Sequence, residues 1–396
     1  MGHQYFVADG ASVIHYNETV MLLNGIFPAV ATPFYPDGTL YLKKLEHNVD
    51  RYTRGPVTGA VILGSTGEAV FLNFPEQRRV LRVAIAAAAP DKAMIAGCGH
   101  ESVSQTLEAC EYAASLGYDA ALVRTPHYYR NQMTPPAMLN YYRTVADRSP
   151  LPVILYSFPQ CTGYDLPAEL VGELASHSNI IGMKESSGDL AKVERMVALT
   201  RNIRRQVRCT HDFQPLTARM IKNAGRPQAD GELVTVGALA STAAKSEAAS
   251  FEAQSANRSA NAAAGQSSSS AVEFVGELRT RSKEVGFQLL IGSGHKLHSL
   301  LKAGATGGIL AFAACAPTAC YEIYAAFKDN DQVLAAEKQQ RIEHACIRIV
   351  SELGIAGVKY ASDLNGFYGG NPRLPLLPLT ANQRREVEHQ MADINC

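Results

Sequence analysis

From Asn24 to about Arg204, short apolar runs alternate with longer amphipathic stretches at a spacing of roughly thirty residues. This rhythm constrains the fold more than any single motif, because apolar periodicity is the primary signal of secondary structure. The strand candidates are 25–34, 59–64, 92–99, 120–125, 152–157 and 180–186. Between them lie stretches such as PEQRRVLRVAIAAAA and SVSQTLEACEYAASLG, with apolar residues at helical spacing. Strands separated by one helix each imply right-handed βαβ units and a parallel sheet. Two further strand candidates, FQLLIG (287–292) and GGILAF (307–312), bring the total to eight. Eight such units predict an α/β protein with a closed (β/α)8 TIM barrel rather than an open sheet.

The rhythm breaks once. About a hundred residues separate Ile181 from Phe287, and 237–272 within that gap is rich in Ala and Ser with almost no large apolar side chains. Such a segment cannot bury enough surface to offset its ordering entropy. The sequence therefore predicts an N-terminal tail (1–23), a first barrel part carrying strands one to six (24–204) and a mostly disordered insertion (205–284) before strand seven. A second barrel part (285–325) and a C-terminal helical region (326–396) complete the organisation, with helical periodicity broken at Asp329-Asn330-Asp331. Within the insertion, the Ala/Ser-rich 237–272 is poorer in charged residues than the 19% of the whole chain.

Charge and composition exclude several functions. Thirty-seven basic residues balance 37 acidic ones, which argues against a general electrostatic grip on nucleic acid or anionic membrane. No apolar run approaches the ~18–20 residues of a membrane span. The first residues lack a basic start, an apolar h-region and any Arg before Arg51, so neither a signal nor a transit peptide is read there. Eight scattered cysteines without a CxxC pair fit buried free thiols in a reducing compartment, and a cytoplasmic location is the expectation. His100, His127 and His295 have no accompanying metal-ligand spacing, and no GxGxxG loop is present, so no metal or dinucleotide is expected.

Barrel enzymes place their chemistry at the C-terminal ends of the strands. Strand two ends in Gly64-Ser65-Thr66-Gly67-Glu68, a turn whose glycines and hydroxyls suit a small anion. Strand five ends at Tyr156, strand six runs Ile181-Gly182-Met183-Lys184, and strand four is followed by Pro126-His127-Tyr128-Tyr129-Arg130. Strand alternation places Lys184 on one face with Gly182 and Ile180, and Gly182 leaves room beneath it. An amine of pKa ~10.4 is only ~0.04% neutral at pH 7, whereas at ~7.5 about a quarter is free to attack a ketone. Tyr156, on the neighbouring strand, can shuttle protons in the same space.

These residues resemble the signatures of the dihydrodipicolinate synthase/N-acetylneuraminate lyase superfamily, the class I pyruvate-dependent aldolases. The likeness rests on Gly64–Glu68, on Tyr156-Ser157-Phe158-Pro159 with Thr162-Gly163, on Gly182–Ser186, on the GGILAF strand and on the Val358-Lys359…Pro372-Arg373 tail. It covers about 24–200 and 285–385. The resemblance implies that Lys184 is the Schiff-base lysine and Tyr156 the catalytic tyrosine. It further implies that Ser65 and Thr66 hold the pyruvyl carboxylate, with Ser186 a further substrate contact. Tyr128, or Tyr129 if the register slips by one, resembles a tyrosine lent across a subunit interface, which implies a dimer or tetramer. No cofactor is implied.

One departure narrows the substrate. Where the dihydrodipicolinate synthase branch has an arginine gripping the second substrate's carboxylate, this chain has Cys161, which cannot make a bidentate charge-assisted contact. The runs Thr125–Arg130, Val145-Ala146-Asp147 and Leu155-Tyr156-Ser157 through Asp165-Leu166-Pro167 are most similar to the eukaryotic 4-hydroxy-2-oxoglutarate aldolase branch, which is mitochondrial in animals. The expectation is a lyase that cleaves a 4-hydroxy-2-oxo acid to pyruvate and an aldehyde. A 2-keto-3-deoxy sugar-acid aldolase, a condensing enzyme sharing the pyruvyl imine, and a barrel retained only as a scaffold are the rival readings.

Overall fold

The computed structural model describes residues 21–224, 273–275 and 278–394. The strands are β1 (Gly25–Pro28), β2 (Gly59–Ile62), β3 (Ala93–Gly97), β4 (Ala120–Arg124), β5 (Val153–Ser157), β6 (Ile180–Glu185), β7 (Arg205–Thr210), β8 (Glu273–Val275), β9 (Leu278–Val285), β10 (Gln288–Ile291) and β11 (Gly307–Leu310). Eight of them are parallel neighbours in the order β1-β11-β10-β6-β5-β4-β3-β2. A parallel bridge between Ala29 and Val61, with Val30 N–H donating to Val61 O at 3.0 Å, joins the two ends. The sheet is a barrel, built from all eight strands expected from the sequence.

Side-chain alternation along each strand divides two cores. Phe27, Val61, Ile95, Leu122, Ile154, Tyr156, Leu290 and Ile309 fill the barrel interior. Their neighbours Ile62, Met94, Ala96, Ala121, Val123, Val153 and Leu155 face outwards and pack beneath the helices. Met21 and Leu23 join the interior core, and Gln288 fixes them by accepting from Leu23 N–H at 2.5 Å and donating to Met21 O at 2.8 Å. Residues 21–23, assigned to the tail from sequence, therefore seal the N-terminal end of the barrel.

The helices form where local chemistry directs them. Phe74–Ala87 opens with a capping box in which Asn73 accepts from Glu76 N–H and Glu76 accepts from Asn73 N–H, worth about 1 kcal/mol. Its Val80, Leu81, Ala84 and Ile85 stripe is buried. Val103–Leu116 starts at Ser102 and stops at Gly117, whose φ of 89° is readily adopted by glycine. In the C-terminal region, Pro317–Lys328 ends before the Asp329-Asn330-Asp331 break. Asp331 then caps Gln332–Cys346 by accepting from Leu334 N–H. Ile347–Glu352 is wound as a π-helix, Gly354–Leu364 follows, and Ala381–Met391 is the final helix. No described helix is long and apolar enough to cross a membrane.

The insertion departs from expectation at its flanks. Most of 205–284, namely 225–272, lies outside the described residues. The flanks, expected to be disordered with the rest, are instead ordered: β7 pairs antiparallel with β9, and β8 pairs with β9. Alternation explains the strand, since Val207 and Cys209 face inward and cluster with Leu22. Arg205 ties it to the barrel through the carbonyls of Ala175, His177 and Ile180. A seven-residue helix, Ala218–Ala224, follows, with Ala218 N–H donating to Asp119 and Arg219 donating to Ala88 O and Lys92 O.

Candidate active site

Lys184 lies near the C-terminal end of β6, 5% exposed, with Nζ 4.3 Å from the centre of the Tyr156 ring. Tyr156 pairs with it in register on β5. Strand alternation alone does not place this lysine. Ile180 packs on the outer core and Ile181 in the interior, and beyond them the pairing with β5 shifts register between Val153 and Ile154. That irregularity re-aims the remainder of β6, so Lys184 does not share a face with Ile180. Gly182 serves a different purpose from leaving room beneath the lysine. A Cβ there would lie 2.4 Å from Gln288 O, so glycine permits the close approach of β10.

Burial lowers the Lys184 pKa to about 7, with Cys161 opposing the shift. Since the charged form has no carboxylate partner among the described residues, desolvation dominates. Tyr156 is 3% exposed, and burial pushes its phenol well above the usual range despite a hydrogen bond with Ser65. The Ser65 Oγ to Tyr156 OH distance is 3.1 Å. One cluster thus joins the ends of β2, β5 and β6: an amine of lowered pKa, a protonated phenol and a half-buried hydroxyl. Thr66 is buried beside Ser65 in the same turn. The Ser186 hydroxyl is buried near the Tyr156 phenol, where it opposes the rise in pKa, and is pressed against Gly292, where a Cβ would come within 2.0 Å of Oγ.

The turn that carries Ser65 is held from outside the barrel. Leu63 and Glu68 bracket it in left-handed conformations, at φ 60° and 54°, a strain that persists only where surroundings fix it. Gly67 N–H donates to Gly64 O, and Thr32 Oγ1 donates to Gly67 O at 2.6 Å. Glu68 makes a fully buried ion pair with Lys359 at 2.6 Å and also accepts from Arg373 N–H at 2.7 Å. Burial lowers the Lys359 pKa against the pull of Glu68. Arg373 further grips Glu76, so the C-terminal region fastens both the turn and the next helix. Glu68, Lys359 and Arg373 belong to the sequence likeness, but no task for them is visible there. A buried lysine and glutamate nearly three hundred residues apart leave no local signal.

A second network steadies the loop after β6. The Glu185 carboxylate accepts from Ser187 N–H at 2.9 Å and Gly188 N–H at 3.3 Å, and contacts Lys192. Lys192 also pairs with Asp165, which accepts from Ser157 Oγ at 3.0 Å. These groups hold the ends of β5 and β6 together. Asp165 entered the sequence likeness without a task, and Lys192 carried no signal there.

Tyr128 and Tyr129 stand apart from the buried cluster. They are 76% and 64% exposed on the loop after β4 and pack edge-on against each other. Glu101 fixes that loop by accepting from the N–H groups of His127 and Tyr128 and by pairing with Arg124 at 3.0 Å. Ser65 and Tyr156 border a cavity of about 310 Å³, whose other walls include Gln77, His100, Glu101, Arg124 and His127. His100 stacks on Phe74, and burial lowers its pKa to about 4. Among the described residues, no three His, Cys, Asp or Glu side chains are grouped to hold a metal.

The model of the Dihydrodipicolinate synthetase family matches residues 22–207 and 267–394, well over half of the chain. The chain belongs to this family. The dihydrodipicolinate synthetase match breaks over 208–266, inside the insertion read from the sequence. Among curated relatives, the 4-hydroxy-tetrahydrodipicolinate synthase of Methanothrix thermoacetophila is 36% identical over 179 residues, 45% of this chain and 59% of that protein. The enzyme of the same name from Xanthomonas campestris pv. campestris is 41% identical over the same shares. The chain thus spans about three-fifths of the length of these relatives. Among solved structures, a dihydrodipicolinate synthase family protein from Coccidioides immitis aligns with a TM-score of 0.65 at 23% identity, covering 94% of this chain and 95% of that one. A chloride-inhibited dihydrodipicolinate synthase from Acinetobacter baumannii, complexed with pyruvate, aligns at 0.69 and 24%, covering 94% and 99%. At these identities the structures speak for the fold.

Proposed function

We propose that this chain is a Schiff-base lyase that cleaves a 4-hydroxy-2-oxo acid, with 4-hydroxy-2-oxoglutarate the favoured substrate, to pyruvate and an aldehyde. The observation that carries the reading is the buried contact of Lys184 with Tyr156, itself hydrogen-bonded to Ser65. Pyruvate as the bound product accords with the pyruvate complex of the Acinetobacter relative.

Lys184 Nζ, substantially neutral at pH 7, adds to the C2 carbonyl of the substrate. The carbinolamine loses water to give a protonated imine, and Tyr156 moves the protons. The C4 hydroxyl then gives up its proton to the Tyr156 oxygen as the phenol proton passes to Ser65 Oγ and the Ser65 proton to solvent in the adjoining cavity, from which a proton later returns to C3. The C3–C4 electron pair flows into the imine, leaving an enamine and an aldehyde. Protonation at C3 and hydrolysis release pyruvate and regenerate the amine. The buried phenol is too weak an acid to ionise at neutral pH, so it acts as a relay rather than as a standing base. Ser65 is hydrogen-bonded to Tyr156, and the buried Thr66 and Ser186 hydroxyls are the further candidates to receive the carboxylate. In a homo-oligomer, Tyr128 of each subunit would extend the relay of its neighbour. Its exposure in the single chain supports that reading. We place the enzyme in the cytoplasm.

Cys161 weighs against condensation with aspartate semialdehyde, since a thiol gives no charge-assisted fork to a carboxylate. The test is product analysis with three inputs: 4-hydroxy-2-oxoglutarate, a 2-keto-3-deoxy-hexonate, and pyruvate with aspartate semialdehyde. The reading expects pyruvate and glyoxylate in equal amounts from the first. Turnover confined to the condensation would overturn it.

A further inference from the structure

The pyruvyl end of the proposed substrate has its contacts in the buried cluster, but 4-hydroxy-2-oxoglutarate carries a second carboxylate at its far end. We infer that Arg130 recognises that distal carboxylate and so sets the preference of this site for dicarboxylic 2-oxo acids. The inference rests on the lyase reading above.

Position supports it first. Arg130 begins the short helical turn Arg130–Gln132 on the loop after β4. Its side chain lies across Gly163, where a Cβ would meet Arg130 Cδ and Nη1 at 2.7 Å. Gly163 closes the four-residue helix Pro159–Thr162 that carries Cys161. Cys161 and Lys184 in turn lie near enough to perturb each other's ionisation. The guanidinium therefore lies over the loop that follows β5, at the strand-end face of the barrel that carries Lys184 and Tyr156, and the inference directs the tail of a five-carbon substrate there.

Availability supports it second. The neighbouring arginine, Arg124 at the end of β4, is engaged with Glu101 at 3.0 Å and with His127 at 2.8 Å. Asp165, two residues past Gly163, is committed to Lys192 and Ser157. Among the described residues, Arg130 forms no ion pair and is exposed. A planar guanidinium with free donors offers a bidentate match to a carboxylate. Gly163 admits it, both by lacking a Cβ and by taking φ 66°.

The experiment compares kcat/KM for 4-hydroxy-2-oxoglutarate and for 4-hydroxy-2-oxopentanoate, which ends in a methyl group, in the wild-type chain and in Arg130→Gln. Borohydride trapping of pyruvate on Lys184 serves as a control for an intact site. The inference expects Arg130→Gln to lose roughly 10- to 100-fold on the dicarboxylic substrate, mainly in KM. The methyl-ended substrate and the trapping should be unchanged, with partial recovery in Arg130→Lys. A wild-type preference for the dicarboxylate that survives in Arg130→Gln overturns Arg130 and leaves the lyase reading standing. Equal use of both substrates by the wild type, with trapping intact, overturns the dicarboxylate preference itself. Absent trapping in the wild type removes the lyase reading and the inference with it.

Discussion

At the residue scale, the chemistry depends on a lysine whose proton is loosened by burial. Its folded pKa of about 7 lies below its unfolded value, so folding disfavours its proton. Above the unfolded pKa of ~10.4 both states are neutral and burial carries no ionisation penalty. As pH falls, the unfolded state protonates first and folding loses stability until the folded pKa is passed. Replacing Lys184 with Met should therefore raise stability at pH 7 by roughly 3–5 kcal/mol, a gain that shrinks above pH 7 and vanishes near the unfolded pKa. Denaturant midpoints at several pH values measure it, and a pH-independent difference would contradict the account. The same amine predicts that kcat/KM rises with pH along a limb of apparent pKa about 7. Tyr156→Phe removes the relay and should lower kcat by roughly 10²–10⁴-fold while leaving the lysine in place. The sequence made these two residues legible because each ends a strand, where barrel chemistry is sought. It did not make the orientation of Lys184 legible: the expected face-sharing with Ile180 fails at a register shift that no residue pattern announces. Nor did it reveal the task of Gly182, whose absent side chain makes way for a neighbouring strand.

At the element scale, the Gly64–Glu68 turn is the part of the site that would not hold its shape alone. Two residues in left-handed conformation are kept there by the Glu68–Lys359 pair and by Arg373. Cutting one partner leaves the other buried and unpaired. Lys359→Met should thus cost roughly 3–5 kcal/mol. It should also lower kcat, because Ser65 moves with the turn. Pairing it with Glu68→Leu should recover much of the stability and little of the activity, a difference readable from thermal melts and steady-state rates on the same samples. Wild-type activity in Lys359→Met would show that the turn needs no such anchor. The strands and capped helices were legible locally, in apolar periodicity, in Asn73 with Glu76, and in the break at Asp329–Asp331. The anchor was not, since it joins residues 291 apart in sequence through the tertiary fold alone.

At the scale of the whole molecule, a barrel of eight strands is assembled across a long interruption. β7 and β9 are antiparallel neighbours with Thr210 opposite Thr280. The chain therefore leaves and re-enters the barrel at adjacent points, and closing the loop between them costs only weakly more as it lengthens. Excising 225–272 and joining the ends with a short Gly/Ser linker should leave the melting temperature within a few degrees and the reaction rate within a factor of about two. Loss of folding on excision would show that the excised residues contribute to the barrel. Composition set this region apart from the barrel, and most of it lies outside the described residues. It missed the ordered flanks because Arg205–Thr210 and Leu278–Val285 are short and polar, and become strands only by pairing with each other and burying Val207 and Cys209 against Leu22. The central claim, that this barrel forms an imine between Lys184 and a 2-oxo acid, is tested most directly by intact mass after pyruvate and borohydride, followed by peptide mapping. The account predicts one reduced pyruvyl group per chain, on Lys184, and none in Lys184→Ala. An adduct mapped to another lysine, or no adduct on folded protein, would contradict it.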